Sequence, residues 1–238
     1  MIIEFTGRPG SGKSTIAAQL QRMLSPGQGR QRQSFVRRMA LQAGLEKTFL
    51  LLLLNTRFRK HPYISNAVLA DYLIELGHSE SDLDTRWLRT LLLLRDLDTH
   101  LSLVDQEPDD IHIFEEGLAQ RGFGAILSGL SNNLVTRHYR DMPLSDLYVN
   151  VEVPADIVLQ RLQDRDGSTR LYVRDEFVKG LKMELESRGA PIIDIDGTSS
   201  THQAAKSILA HLQNTGSKVS ARIHPGEFFI NGTPPDER

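Results

Sequence analysis

The sequence contains no cysteine, which excludes a disulfide framework, a thiolate metal site and a cysteine nucleophile. Charge of one sign is not in excess. The 28 basic residues stand against 30 acidic ones, for a net charge of −2, so no global field draws the chain towards nucleic acid. Lysine is scarce, at seven of the 28 basic residues. The arginine fork suits phosphate, but a surplus of arginine alone fixes no partner. Long apolar runs are also missing. Phe49–Leu54 and Leu91–Leu94 fall far short of the roughly twenty residues that a membrane span needs, and each sits inside a longer amphipathic pattern. A basic, signal-like leader is not expected, because Met1 leads directly into the first β-prone run. The expectation is a cytoplasmic protein with no membrane or nucleic-acid partner, and its 238 residues suit one α/β domain.

What is present begins at once. Met1-Ile2-Ile3-Glu4-Phe5 is β-prone, and Ile16-Ala17-Ala18-Gln19-Leu20 is a good helix former. Between them Gly7-Arg8-Pro9-Gly10-Ser11-Gly12-Lys13-Ser14 fits G-x-x-x-x-G-K-[ST] at every specified position, with a strand before and a helix after. A loop that wraps a phosphate turns its N–H groups inward, through backbone conformations that glycine adopts without steric cost. The following helix adds unpaired N–H groups and the positive end of its dipole. Gly7, Pro9, Gly10, Ser11, Gly12, Lys13, Ser14 and Thr15 are thus the expected nucleotide-binding residues. Lys13 would pair the β- and γ-phosphates, and Ser14 would ligate Mg²⁺. ATP and Mg²⁺ are the cofactors expected.

Along the chain, breaker clusters and caps divide a series of alternating elements. Lys13 to about Leu24 reads as a helix closed by Ser25-Pro26-Gly27, and Gln33–Val36 as a short second strand. Leu41 to about Arg59, Tyr63 to Leu76 and Leu83 to Val104 read as helices. Ile111–Phe114 is a strand followed by a helix through about Leu130, and Leu147–Val153 a strand followed by a helix from Pro154. Tyr172 to about Arg188 reads as helical, Pro191–Ile195 as a last strand and Thr201–Leu212 as a last helix. Alternating strands and helices imply a mostly parallel sheet covered on both faces, with ligands beyond the carboxyl ends of its strands. The expected organisation is one domain over 1–215, with a helical insertion over about 37–104 and a lid over about 161–174. An irregular tail over 216–238 completes the chain.

Two further stretches carry chemistry. In Ile111-His112-Ile113-Phe114-Glu115-Glu116-Gly117 an apolar strand delivers acids to the phosphate end, as in a Walker B arrangement. Glu115, next to the strand, is the favoured metal-organising group, and Glu116 the candidate base or acceptor ligand. Arg161 and Arg165 stand four apart on one helix face, a placement that is mildly unfavourable unless an anion lies between them. Arginines over a transferring phosphoryl group stabilise its charge.

The order of the N-terminal P-loop, "FEEGLAQRG", "VEVPADIVLQRLQDR" and "IIDIDGT" resembles the P-loop nucleoside and nucleotide kinases, thymidylate-kinase-like and deoxynucleoside-kinase-like. The resemblance implies an α/β three-layer P-loop NTPase fold with a five-stranded, mostly parallel sheet. It implies an ATP γ-phosphoryl transferase with Arg121 near the acceptor, a lid carrying Arg161 and Arg165, and Asp194–Thr198 near the adenine. A homodimer is compatible with that group. Glu115 stands where many such kinases have Asp, and no acid occurs between Lys13 and Glu46, so the acceptor stays open. A nucleoside or nucleoside monophosphate is the first expectation. A sugar, antibiotic or polysaccharide precursor, or a non-catalytic nucleotide-binding regulator, are the alternatives. The insertion supplies Arg57, Phe58, Arg59, Tyr63, Trp87 and Arg95 as candidates for enclosing the acceptor.

Overall fold

The computed structural model describes residues 1–24, 61–65, 67–104, 111–169 and 171–215. β1 (Ile2–Thr6) lies inside a parallel sheet between β2 (His112–Phe114) and β3 (Leu147–Glu152), and β4 (Ile192–Asp196) follows β3. The order β2-β1-β3-β4 brings Glu4 beside both Phe114 and Tyr148, and Asn150 beside Asp194. Among the described residues the sheet has four strands rather than the expected five. The expected second strand at 33–36 lies outside those residues, as do the helix expected over 41–59 and the tail over 216–238.

Helices clothe both faces. On one, α1 (Lys13–Leu24) packs against α9 (Thr201–Asn214), with Val158 and Leu162 of α7 (Ala155–Asp166) joining them. Ile3, Phe5, Val149 and Val151 point into this layer, as the period of two in a strand demands. The other face carries α2 (Pro62–Ser65), α3 (Val68–His78), α4 (Leu83–Val104), α5 (Leu118–Leu127), α6 (Asn132–Asp141) and α8 (Asp175–Ser187). Tyr148 reaches that second core from β3.

Several boundaries differ from the sequence reading, each for a local reason. The helix expected over Tyr63–Leu76 is broken at Ala67, whose φ of 61° is left-handed. The helix expected to run through Leu130 stops at Leu127, and α6 follows it. There Ser131 caps the new helix by accepting from the Leu134 N–H, a hydroxyl meeting one of the unpaired N–H groups of a first turn. α8 begins at Asp175 rather than Tyr172, and the last strand, expected over Pro191–Ile195, runs from Ile192 to Asp196. No helix among the described residues is long and apolar enough to cross a membrane.

Two fully buried histidines and one buried glutamate contribute to the response of this core to pH, beside His61, whose pKa burial also lowers. His138 Nε2 lies 2.8 Å from the Leu118 carbonyl and Nδ1 lies 2.6 Å from the Tyr63 hydroxyl. A carbonyl only accepts, so Nε2 carries the proton and Tyr63 donates to Nδ1. Burial lowers His138 and His100 from the ordinary 6.5 to about 4 and raises Glu4 from 4.5 to about 7. The histidines therefore contribute stability above pH ~6.5 that is lost as pH falls towards ~4. Glu4 acts oppositely, because its contribution is complete below pH ~4.5 and is lost as pH rises through ~7. Between these limits the unfolded chain holds about one more of these protons than the folded one, so these three groups together should lower stability by about 1.4 kcal/mol per pH unit on acidification. In Glu4→Gln the opposing effect is gone and the slope should be about twice as steep. Urea unfolding between pH 6.5 and 5 measures both slopes. Equal slopes would show that Glu4 does not carry a proton in the folded protein.

Candidate functional site

The glycine loop leaves the end of β1 and turns into α1. Gly7 has φ of +131°, and a Cβ there would stand 2.6 Å from the Val151 carbonyl oxygen, so any side chain would be strained and would push the loop off β3. Lys13 is buried and donates to the carbonyls of Gly7 (2.9 Å) and Arg8 (2.8 Å). Burial lowers its pKa from the ordinary 10.5 to about 8, with Glu116 opposing the shift and Arg165 adding to it. Ser14 and Thr15 are exposed on the first turn of α1. Ser11 Oγ is buried with no hydrogen-bond partner. The cradle thus holds one costly cation and one unpaired hydroxyl, both of which an anion would satisfy.

Arg8, which the sequence reading treated as a variable position of the motif, anchors the loop. Its guanidinium donates to the Val173 carbonyl (3.0 Å), the Val153 carbonyl (3.2 Å) and the Asp175 carboxylate, and lies 5.6 Å from the centroid of the Tyr172 ring. The loop is thereby tied to the segment joining α7 to α8. Arg161 crosses the loop to contact the Gly10 carbonyl (3.4 Å) and the Gly197 carbonyl (3.3 Å). Arg165 pairs with Asp166 at 2.6 Å, yet lies close enough to influence Lys13 and to be influenced by Glu116. Arg161 and Arg165 are thus both on the loop side of α7.

The acidic turn follows β2, with Glu115 and Glu116 exposed. Arg121 lies 3.6 Å from the Glu116 carboxylate and 2.7 Å from Asp96, and also donates to the Glu116 carbonyl at 3.2 Å. Glu116 lies close enough to act on the charge of both Lys13 and Arg165. The structure therefore brings Lys13, Glu116, Arg121, Arg161 and Arg165 to one rim. Of the insertion candidates, Tyr63 is fully buried and spent on His138, so it belongs to the core. Arg95 pairs with Asp96 at 2.7 Å, and Trp87 is partly exposed. Arg57, Phe58 and Arg59 lie outside the described residues.

Among the described residues no group of three or more His, Cys, Asp or Glu side chains could hold a metal ion. Mg²⁺ delivered with a nucleotide is held by one or two carboxylates and substrate phosphates rather than by a protein cage. The Ser14 hydroxyl and an acidic-turn carboxylate are hard oxygen donors of that kind. A cleft of 480 Å³ opens at the carboxyl ends of β3 and β4, lined by Ser11, Asn150, Glu152, Asp194 and Asp196 among others. Its walls carry Glu152, Asp175, Asp194 and Asp196 beside the cations Arg8 and Lys179.

No family model and no curated protein matches the chain. Among solved structures it is similar to deoxyadenosine kinases from M. mycoides. One holds the products dCMP and a flexible dCDP, with TM-score 0.46 and 13% identity. A second holds dATP, with TM-score 0.47 and 15% identity, and a third dCTP, with TM-score 0.44 and 16% identity. Each comparison covers 90% of this chain and 100% of the other.

Proposed function

We propose that the chain is an ATP-dependent phosphotransferase that moves the γ-phosphoryl group to a small-molecule acceptor, a nucleoside or nucleoside monophosphate. The observation that carries this reading is Lys13, a buried cation held on the carbonyls of a glycine loop with carboxylate and arginine at the same rim. A pure nucleotide binder has no need of groups whose value lies in stabilising charge that develops during transfer. The nucleoside acceptor rests on the motif order alone.

In this reading the loop N–H groups and Lys13 hold the β- and γ-phosphates, and Lys13 exchanges its carbonyl partners for phosphate oxygens. Ser14 and Glu115 would hold Mg²⁺, which would supply charge neutralisation for the phosphates. Glu116 accepts the proton of the attacking hydroxyl as it is lost. Arg161 and Arg165 swing from Gly197 and Asp166 onto the transferring group and exclude water. Arg121, held by Asp96, fixes Glu116 from behind. Asp194–Thr198 would adjoin the adenine.

Arginines that act on the transition state should affect turnover more than binding. Replacing Arg161 and Arg165 together by alanine is expected to lower kcat by about a hundredfold or more, with the ATP KM changed by less than about threefold. Steady-state kinetics in ATP decides this. Unchanged kcat would return both side chains to an ordinary helix surface.

The acceptor is identified by incubating the protein with γ-labelled ATP, Mg²⁺ and a panel of nucleosides, nucleoside monophosphates and sugars. Label on a nucleoside or its monophosphate supports the reading. Label on a sugar alone replaces the acceptor class and keeps the chemistry. Tight ATP binding without transfer or hydrolysis would make the protein a regulator.

A further inference from the structure

We infer that Glu4 is a positioning residue that locks the acidic turn to the phosphate loop, a role that rests on the phosphotransferase reading above. Glu4 sits in β1, three residues before Gly7, and its side chain points opposite to Ile3 and Phe5 into the face covered by α5. It is fully buried. One carboxylate oxygen accepts from the Ala119 N–H at 2.7 Å, in the first turn of α5, and the other accepts from the Ser145 hydroxyl at 3.0 Å. The unpaired N–H groups of a helix start need an acceptor, which a side-chain carboxyl oxygen supplies. Here that carboxyl comes from the strand that also carries the glycine loop.

The fit leaves little slack. A Cβ on Gly117 would lie 2.5 Å from the Glu4 carboxyl carbon, so the turn closes on Glu4 through the one residue without a side chain. Two further bonds pin the same helical turn, from His138 to the Leu118 carbonyl at 2.8 Å and from the Tyr72 hydroxyl to the Arg121 carbonyl at 3.0 Å. Of these three ties, Glu4 alone comes from the strand of the phosphate loop. Arg121, two residues beyond Ala119, then reaches back to Glu116. The chain of contacts runs from β1 through Glu4 to the start of α5, then through Arg121 to the acidic turn.

Retaining this carboxyl is costly. Burial raises its pKa to about 7, Asp96 of α4 adds to the rise, and Arg121 of α5 lowers it, as do the bonds from Ala119 and Ser145. His100 of α4 lies 3.2 Å from Ser145 Oγ, and Tyr148 of β3 faces Glu4 across the strand pair. A methionine would fill the same space without the desolvation penalty. What methionine would lack is the acceptor for Ala119, and that acceptor fixes the turn.

The test compares wild type, Glu4→Gln, which keeps one acceptor oxygen, and Glu4→Met, which keeps volume and has none. ATP affinity is measured by calorimetry with and without Mg²⁺, and kcat and the ATP KM are measured beside it. In Glu4→Met the affinity without Mg²⁺ should stay within about threefold of wild type, and the gain on adding Mg²⁺ should be lost. Its kcat should fall by about a hundredfold, with KM for ATP without matching change. Glu4→Gln should recover most of both. Wild-type behaviour of a folded Glu4→Met overturns the proposal, as does a parallel loss of all ATP binding. Should Glu4→Met fail to fold, Ser145→Ala, which frees one carboxylate oxygen, should reduce the Mg²⁺ gain in part. An unchanged gain there overturns the proposal too. Absence of ATP binding in wild type would instead overturn the phosphotransferase reading, so the two failures are distinguishable.

Discussion

Lys13→Met should lower phosphoryl transfer by on the order of a thousandfold and leave the folded protein no less stable. The two halves have one cause. A buried ammonium pushed down to about 8 from its ordinary range is held at a cost of about 3 kcal/mol at neutral pH. The contacts to the Gly7 and Arg8 carbonyls offset part of that cost. The folded pKa lies below the unfolded one, so this cost is present at pH 7 and is relieved as pH rises through ~8 to ~10.5. Bound phosphate would recover it at neutral pH by pairing the charge. Methionine removes cost and benefit together, because its chain fills the space of the lysine stem with no charge to place. Transfer loses a full charge from the developing transition state, a loss comparable to or larger than that of one oxyanion donor. Urea unfolding and single-turnover kinetics on the same preparation check both parts. A variant that transfers normally would remove Lys13 from the chemistry, and one that unfolds would make Lys13 a structural residue.

The second large effect is expected at the acidic turn. Glu116→Gln should lower kcat by about a hundredfold or more, within the range of a lost general base, while ATP affinity in Mg²⁺ changes by less than about threefold. Glu115→Gln should act differently, weakening the Mg²⁺ requirement and the Mg²⁺-dependent part of ATP binding. The asymmetry follows from position. Glu116 shares its field with Lys13 and Arg165 and is held by Arg121, whereas Glu115 stands beside the end of β2. Titrating Mg²⁺ against each variant separates the two roles. Full Mg²⁺-dependent activity in both variants would leave the turn without a catalytic part, and exchanged phenotypes would exchange the roles.

The features legible in the sequence are those written in local spacing. The phosphate loop needs its glycines, lysine and serine in one unbroken run, so a single chain carries the signal. The same holds for α4, whose span from Leu83 to Val104 is delimited by a cap and a proline. Arg161 and Arg165 are readable as a pair because four residues make one helical turn.

What escaped was decided by tertiary partners. Glu4 reads as one polar residue in a β-prone run, and only its alternation with Ile3 and Phe5 hinted that it enters the opposite layer. Its meaning came from Ala119 and Ser145, more than a hundred residues away. Tyr63 looked like a ligand-stacking ring until His138 claimed its hydroxyl. α6 went unread because its sequence is polar overall. Leu134, Val135, His138 and Tyr139 nevertheless form a buried stripe of helical period. Arg8 occupies a position that the loop motif leaves free, so nothing local marked its bonds to Val153, Val173 and Asp175.

Phosphorus NMR of the wild-type protein with ATP, Mg²⁺ and a mixture of nucleosides and nucleoside monophosphates tests the central claim most directly. The γ-phosphate resonance should disappear as that of ADP grows, and a new phosphorylated acceptor should appear in equal amount with little free phosphate. Inorganic phosphate released at the same rate with or without any acceptor, or ATP left intact in the presence of every acceptor, would contradict it.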